Sequence, residues 1–167
     1  MQKRKAAFLD RDGVINVDSG YVGRWEDFKF APNAISLLRS LADEGYLLIV
    51  VTNQSGIARG MFTQAEYEAL TARYVAALAE EGIDIAAVYH CPHHPDGRVA
   101  EYSRSCDCRK PKPGMILQAI RDHDIDPARS ILIGDSERDL EAGRAAGIHR
   151  VVRVSAPLPM SVSDLGR

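Results

Sequence analysis

Asp10 and Asp12 stand one residue apart at the end of the apolar run Ala6-Ala7-Phe8-Leu9 and are followed by Gly13. In extended chain, side chains i and i+2 share a face, so the two carboxylates converge on one small volume if the chain turns after Asp10. Like charges that close require a cation or a shared proton, and either implies chemistry. Taken alone, the run fits a surface turn equally well, because Asp and Gly are common turn residues. Three later segments change that balance. Val50-Val51-Thr52-Asn53-Gln54-Ser55-Gly56 sets a hydroxyl and amides after a second apolar run, and Arg109-Lys110-Pro111-Lys112-Pro113-Gly114 supplies cations. Ile131-Leu132-Ile133-Gly134-Asp135 ends a further apolar run in Gly-Asp, with Asp139 four residues on.

A second group of residues points to a metal. The three cysteines, Cys91, Cys106 and Cys108, fall in one short stretch, and an odd, clustered count argues against a disulfide scaffold. Cys91-Pro92-His93 and Cys106-Asp107-Cys108 offer three thiolates and an imidazole in two close pairs, the ligand set of a tetrahedral structural Zn2+ site. The spacing leaves His93 and His94 both available as the fourth ligand. Four protein ligands leave no position for a catalytic water, so the site would pin the loop from about 91 to 108.

The elements needed to position these groups can be read from periodicity. Lys5 to Asp10 is apolar without alternation, as expected for a central strand covered on both faces. Asn33 is placed to cap a helix from Ala34 to Glu44, with Ile35, Leu38 and Leu41 at helical spacing and Gly45 as its stop. Tyr46 to Thr52 follows as a second strand. Thr63-Gln64-Ala65-Glu66 is a capping box opening a helix to about Glu81, with Tyr67, Leu70, Tyr74 and Leu78 on one stripe. Further strands are predicted at 85–90, 130–134 and 151–154, and further helices from Pro113 to His123 and from Glu137 to Ala146. The tail from Ser155 to Arg167 carries Pro157 and Pro159 and no clear final helix. Strands alternating with helices predict an α/β fold, a doubly wound Rossmann-like parallel sheet whose crevice lies outside the carboxyl ends of the strands. Asp10, Thr52 and Asp135 all fall at such ends.

Composition narrows the function classes. The chain has 167 residues with 21 basic and 23 acidic side chains, a formal net charge of -2, which favours neither nucleic acid nor an anionic membrane surface as partner. No apolar stretch is long enough for a signal peptide or a membrane span, so a cytoplasmic, soluble protein is expected.

The order D-x-D-G, strand-Thr, Lys, G-D-x-x-x-D resembles the four motifs of the haloacid dehalogenase (HAD) superfamily of phosphohydrolases, over roughly Lys5 to Val154. The resemblance implies one HAD-like domain over 1–167 with no cap domain and a zinc-stabilised loop. It implies that Asp10 attacks phosphorus to form an aspartyl-phosphate, and that Asp12 protonates the leaving alkoxide and then activates water, its pKa lifted by acidic surroundings. Thr52 would donate its hydroxyl to the phosphoryl oxygens with Asn53 as helper, and Lys110 would be the counter-charge. Mg2+ would be held by Asp10, the main-chain carbonyl of Asp12, and Asp135, while Asp139 orients Lys110 or its loop. For zinc, the family pattern C-x-H favours His93, with Cys91, Cys106 and Cys108.

Within the superfamily, C-x-H with C-x-C-R-K-P is similar to a zinc-loop group acting on histidinol phosphate or on a heptose 1,7-bisphosphate. Asp18-Ser19-Gly20-Tyr21-Val22, Asn53 to Gly60, Cys91 to Pro95 and Cys106 to Pro111 resemble the heptose branch. That likeness implies removal of the 7-phosphate from D-glycero-D-manno-heptose 1,7-bisphosphate, in the supply of nucleotide-activated heptose for lipopolysaccharide core; the alternatives are histidinol phosphate as substrate and, against the complete motif set, a domain that binds phosphometabolites without turnover. By position, Asp18, Ser19, Gly20 and Tyr21 with Thr52, Asn53, Gln54 and Ser55 would line the sugar pocket, and Arg109 and Lys110 would recognise the substrate. The partner expected is thus a small sugar phosphate, with the chain a monomer. Ser136 stands where a lysine is common in the family, which removes one cation near the site.

Overall fold

The computed structural model describes residues 2–166. Five strands, β1 (Ala6–Leu9), β2 (Leu47–Asn53), β3 (Ile85–Cys91), β4 (Ile131–Gly134) and β5 (Arg150–Arg153), pair in the order β3-β2-β1-β4-β5. Every pairing is parallel, with Leu9 of the central strand opposite Val50 on one side and Ile133 on the other. Four helices cover the sheet: α1 (Ala34–Asp43), α2 (Gln64–Glu80), α3 (Gly114–His123) and α4 (Glu137–Ala145). Each predicted strand and helix is present, with ends shifted by a residue or two.

Alternation along the strands divides the core in two. Ala7 and Leu9 of β1 join Leu48 and Val50 of β2 and the apolar stripes of α1 and α2 on one face. Ala6 and Phe8 join Ile49 and Val51 and the inward residues of α3 and α4 on the other. The continuous apolar runs are therefore the signature of strands buried on both faces.

Local chemistry explains the helix starts in part. At α2 the capping box is complete: the Glu66 amide donates to Thr63 Oγ1 at 3.0 Å, and Glu66 Oε1 accepts from the Thr63 amide at 3.0 Å. Asn33 does not cap α1 as the sequence predicts; it sits in the left-handed region (φ 71°) and makes no side-chain cap. Its Nδ2 donates instead to the carbonyl of Leu158 at 2.8 Å. That bond ties α1 to the tail, which among the described residues contains only a 3-10 turn at Val162–Asp164 yet buries Leu158, Val162 and Leu165 in the α1/α2 core. Val162 N also donates to Ser40 Oγ at 3.0 Å.

Since Leu158 is 2 % exposed, Leu158→Ala is expected to lower unfolding free energy by about 2–4 kcal/mol, measured by urea denaturation. A loss within experimental error would show that the tail does not belong to the cooperative core.

Candidate active site

The carboxyl ends of β1, β2 and β4 lie side by side, and the loops leaving them surround a cavity of about 370 Å³. Asp10, Asp12, Asp135 and Lys110 line its floor; Asp18, Gly20 and Tyr21 border it from the loop after β1, and Asn53, Gln54 and Ser55 from the loop after β2. Arg109 lines it too, as do Arg59 and Arg138, which the motifs did not single out. Two of the expected residues stand apart. Ser19 is exposed outside the lining, and Thr52 is fully buried beneath it, its Oγ1 accepting from Gln54 Nε2 at 2.9 Å.

Lys110 is the hub of the site. Its side chain is 3 % exposed, and Nζ reaches Asp139 Oδ1 at 2.6 Å, Asp10 Oδ1 at 3.1 Å and the carbonyl of Val51 at 2.8 Å. Its backbone is clamped by Asn53, whose Oδ1 accepts from Lys110 N at 2.9 Å while Nδ2 donates to Lys110 O at 3.1 Å. Asn53 therefore fixes the lysine loop from the end of β2. Asp139 orients Lys110 as expected, and its other oxygen accepts from Asp135 N, Ser136 N and Ser136 Oγ at 3.0–3.1 Å. Ser136 thus belongs to the N-terminus of α4, and Arg138, two residues on, places a guanidinium on the cavity.

These contacts set the proton affinities. Burial pushes the Asp10 carboxyl up to about 8; Lys110 pulls it down, and the carboxylates of Asp139, Asp12 and Asp135 push it further up. Burial and Asp139 also raise Asp135. Asp139 is held below the ordinary carboxylate range despite its burial, because Lys110 and the donors of Ser136 favour its charged form. Burial disfavours the charged form of Lys110, but Asp10 and Asp139 overcome that and raise it.

Asp12 occupies surroundings unlike those expected. Its Oδ1 accepts from Arg11 Nη2 at 2.8 Å, Arg11 Nε at 3.3 Å and Asn16 Nδ2 at 2.9 Å, and its Oδ2 accepts from Gln54 Nε2 at 3.0 Å. Donors rather than carboxylates enclose it. Arg11, between the two aspartates, turns inward and is fully buried. The only signal of this in the sequence is an arginine flanked by acids after an apolar strand, a pattern equally common on surfaces.

The donor set suits a hard divalent ion. Carboxylate oxygens of Asp10, Asp135 and Asp139 lie within 4.8 Å of one another, three acids against the single ammonium of Lys110. Asp139 is saturated by its own donors, which leaves Asp10 and Asp135. Gly13 has φ +89°, and a Cβ there would collide with the Asp135 carboxylate, so only glycine lets the loop pass this close.

The second cluster forms as its spacing implies. Sγ atoms of Cys91 and Cys106 are 3.4 Å apart, those of Cys106 and Cys108 3.4 Å, and those of Cys91 and Cys108 2.6 Å. His93 Nδ1 lies 3.4 Å from Cys108 Sγ and 3.7 Å from Cys91 Sγ. The hydrogen bond between Cys91 and Cys108 holds the Cys108 thiol down, at about 5, and raises that of Cys91. Three sulfurs and one imidazole nitrogen around one point fit a tetrahedral Zn2+. His94 is turned away, with Nε2 3.0 Å from Arg59 Nη2 and Nδ1 accepting from Asp96 N at 3.1 Å.

Residues 107–153 match the HAD-hydrolase-like family. The chain is 48% identical over 160 residues to a D-glycero-beta-D-manno-heptose-1,7-bisphosphate 7-phosphatase from Yersinia pestis, covering 96% of this chain and 85% of that protein. It is also 48% identical over 159 residues to a D-glycero-alpha-D-manno-heptose-1,7-bisphosphate 7-phosphatase from Photorhabdus laumondii, covering 95% and 87%. Among solved structures, D,D-heptose 1,7-bisphosphate phosphatase from B. bronchiseptica, complexed with magnesium and phosphate, superposes with a TM-score of 0.77 at 38% identity, over 87% of this chain and 78% of that one. Phosphoric monoester hydrolase activity is what these relatives share, and the chain belongs to the heptose-1,7-bisphosphate 7-phosphatase family of HAD-like hydrolases.

Proposed function

We propose that this protein removes the 7-phosphate from D-glycero-D-manno-heptose 1,7-bisphosphate through an aspartyl-phosphate on Asp10, in the formation of nucleotide-activated heptose for lipopolysaccharide core. The observation that carries the reading is Asp10, 3.1 Å from a buried lysine, at the floor of a cavity rimmed by guanidinium groups. Arg109 is lowered by its burial and by the charge of Arg138, with Arg59 adding to the effect, which places three positive side chains within electrostatic reach of one another. None of the three pairs with a carboxylate among the described residues. Such a rim favours a substrate bearing a second anionic group away from the scissile phosphate, as a sugar bisphosphate does.

In this mechanism Lys110 neutralises the entering phosphoryl group while Asp10 attacks phosphorus in line with the sugar oxygen. Asp12 gives its proton to that oxygen as the bond to phosphorus breaks, then takes a proton from the water that releases phosphate from Asp10. Asp139 and Asn53 keep Lys110 in place through both steps. Gln54, bonded to both Asp12 and Thr52, ties the proton carrier to the hydroxyl buried beneath the cavity. Asp10, Asp135 and the Asp12 carbonyl would hold Mg2+, which when bound would supply positive charge to keep Asp10 ionised and offset the phosphoryl charge. Cys91, His93, Cys106 and Cys108 would hold Zn2+, which when bound would anchor the segment that delivers Arg109 and Lys110.

Two outcomes are expected. With Mg2+, phosphate release from heptose 1,7-bisphosphate, assayed with both anomers, should exceed release from histidinol phosphate at least about 10²-fold in kcat/KM, and Asp10→Asn should abolish both. Preference for histidinol phosphate would assign the alternative substrate. The second concerns pH. In the metal-free fold Asp10 has a raised pKa, so the native state keeps a proton that the unfolded chain releases above about pH 4. That contribution is present at low pH and is lost as pH rises toward about 8. Bound Mg2+ removes the need for the proton, so the rise in Tm caused by Mg2+ should grow between pH 5 and pH 8 and vanish in Asp10→Asn. A Mg2+ effect independent of pH would contradict the assignment of Asp10 as its ligand.

A further inference from the structure

Arg11 is the largest side chain completely shielded from solvent, and the mechanism above gives it nothing to do. A buried guanidinium costs several kcal/mol unless it is paired and its donors are satisfied. Among the described residues its one carboxylate partner is Asp12. Nε and Nη2 both converge on the same oxygen, Oδ1, and Nη2 also donates to the carbonyl of Val22 at 2.7 Å. The phenols of Tyr67 and Tyr74, also buried, lie within electrostatic reach of the pair. The guanidinium is thus fixed between Asp12 at the start of the loop after β1 and Val22 farther along the same loop.

The two oxygens of Asp12 are made unequal by this arrangement. Oδ1 receives three donors, two from Arg11 and one from Asn16, so its lone pairs are occupied. Oδ2 receives one, from Gln54, and Asp12 borders the cavity. A proton carrier must present one oxygen to the leaving group with its carboxyl plane fixed. We propose that Arg11 is a positioning residue for hydrolysis: it anchors Oδ1 of Asp12 and so presents Oδ2 to the leaving oxygen and, in the second step, to the attacking water. The inference rests on the assignment of Asp12 as acid and base. In the first step the Asp10–phosphorus bond forms, the phosphorus–sugar oxygen bond breaks, and the Oδ2 proton moves to the sugar oxygen. In the second, water gives a proton to Oδ2 as its oxygen displaces Asp10 from phosphorus.

A residue with this role affects only those substrates whose leaving group needs the proton. A sugar alkoxide needs it; p-nitrophenolate leaves without it. Since kcat/KM reports steps up to formation of the phosphoenzyme, the ratio of kcat/KM for heptose 1,7-bisphosphate to that for p-nitrophenyl phosphate isolates the contribution of Asp12. Asp12→Asn serves as the benchmark and should lower the ratio about 10²-fold or more. Arg11→Met should lower it by about as much, and Arg11→Lys, which keeps the charge but cannot span Asp12 and Val22, should restore part of the loss. Should Arg11→Met fail to fold by circular dichroism, Arg11→Lys alone decides, with an expected fall of about tenfold. If Asp12→Asn leaves the ratio unchanged, the reading of Asp12 itself fails. If Asp12→Asn lowers the ratio and the Arg11 variants lower both substrates equally or neither, Arg11 is structural and the inference is overturned. If the wild type does not hydrolyse the heptose ester, the substrate assignment fails, and histidinol phosphate supplies the alkoxide arm of the same comparison.

Discussion

The structure depends on one buried ammonium group. Lys110 Nζ is held among Asp10, Asp139 and the Val51 carbonyl, all within 3.1 Å. An ammonium with so little exposure is tolerated only when carboxylates meet it, and breaking such a pair costs about 3–5 kcal/mol because the remaining charge is stranded. Those contacts join four different parts of the chain: the ends of β1 and β2, the first turn of α4, and the loop after the cysteine pair that carries Lys110 itself. Satisfying one charge therefore fixes the relative positions of every segment that carries a candidate catalytic group.

The remaining features explain how the lysine gets there. Parallel pairing aligns the ends of β1, β2 and β4, because Leu9 is opposite both Val50 and Ile133. Asn53, at the end of β2, then clamps the backbone of Lys110 from both sides of the peptide. Cys106 and Cys108 fold the segment just before Lys110 against Cys91 at the end of β3, and Lys112 Nζ donates to the Cys106 carbonyl at 2.8 Å, closing the turn. The thiol cluster thus lies outside the acidic cavity and anchors a loop that carries two cations, Arg109 and Lys110, into it.

Much of this was legible in the residues. The strands read correctly because unbroken apolar runs have few alternatives in a doubly covered sheet, and the Thr63 capping box read correctly because its bonds are local. The motif residues Asp10, Asp12, Lys110 and Asp135 fell together because strand ends converge in this topology. What escaped reading depended on distant partners. Asn33 has the chemistry of a cap, but the Leu158 carbonyl, 125 residues away, takes its amide. Leu158, Val162 and Leu165 are spaced like a helix face, yet Pro159 obscures a tail that packs without one. Arg11 reads as a surface arginine because burial of a cation is decided by tertiary structure, and Arg59 and Arg138 join the cavity only through the placement of the loop after β2 and of the first turn of α4. Asp12 was expected among acids because its sequence neighbours include Asp10; in space Arg11, Asn16 and Gln54 surround it.

The central claim is that Lys110 and its partners make Asp10 the nucleophile. Acid quenching during turnover, followed by mass spectrometry of the digested protein, tests it most directly. The account predicts a single phosphoryl group on the peptide containing Asp10, absent when Lys110 is replaced by Met. Turnover with no phosphorylated peptide in quenched samples, even when hydrolysis is slowed by Asp12→Asn, or a phosphoryl group on another residue, would contradict it.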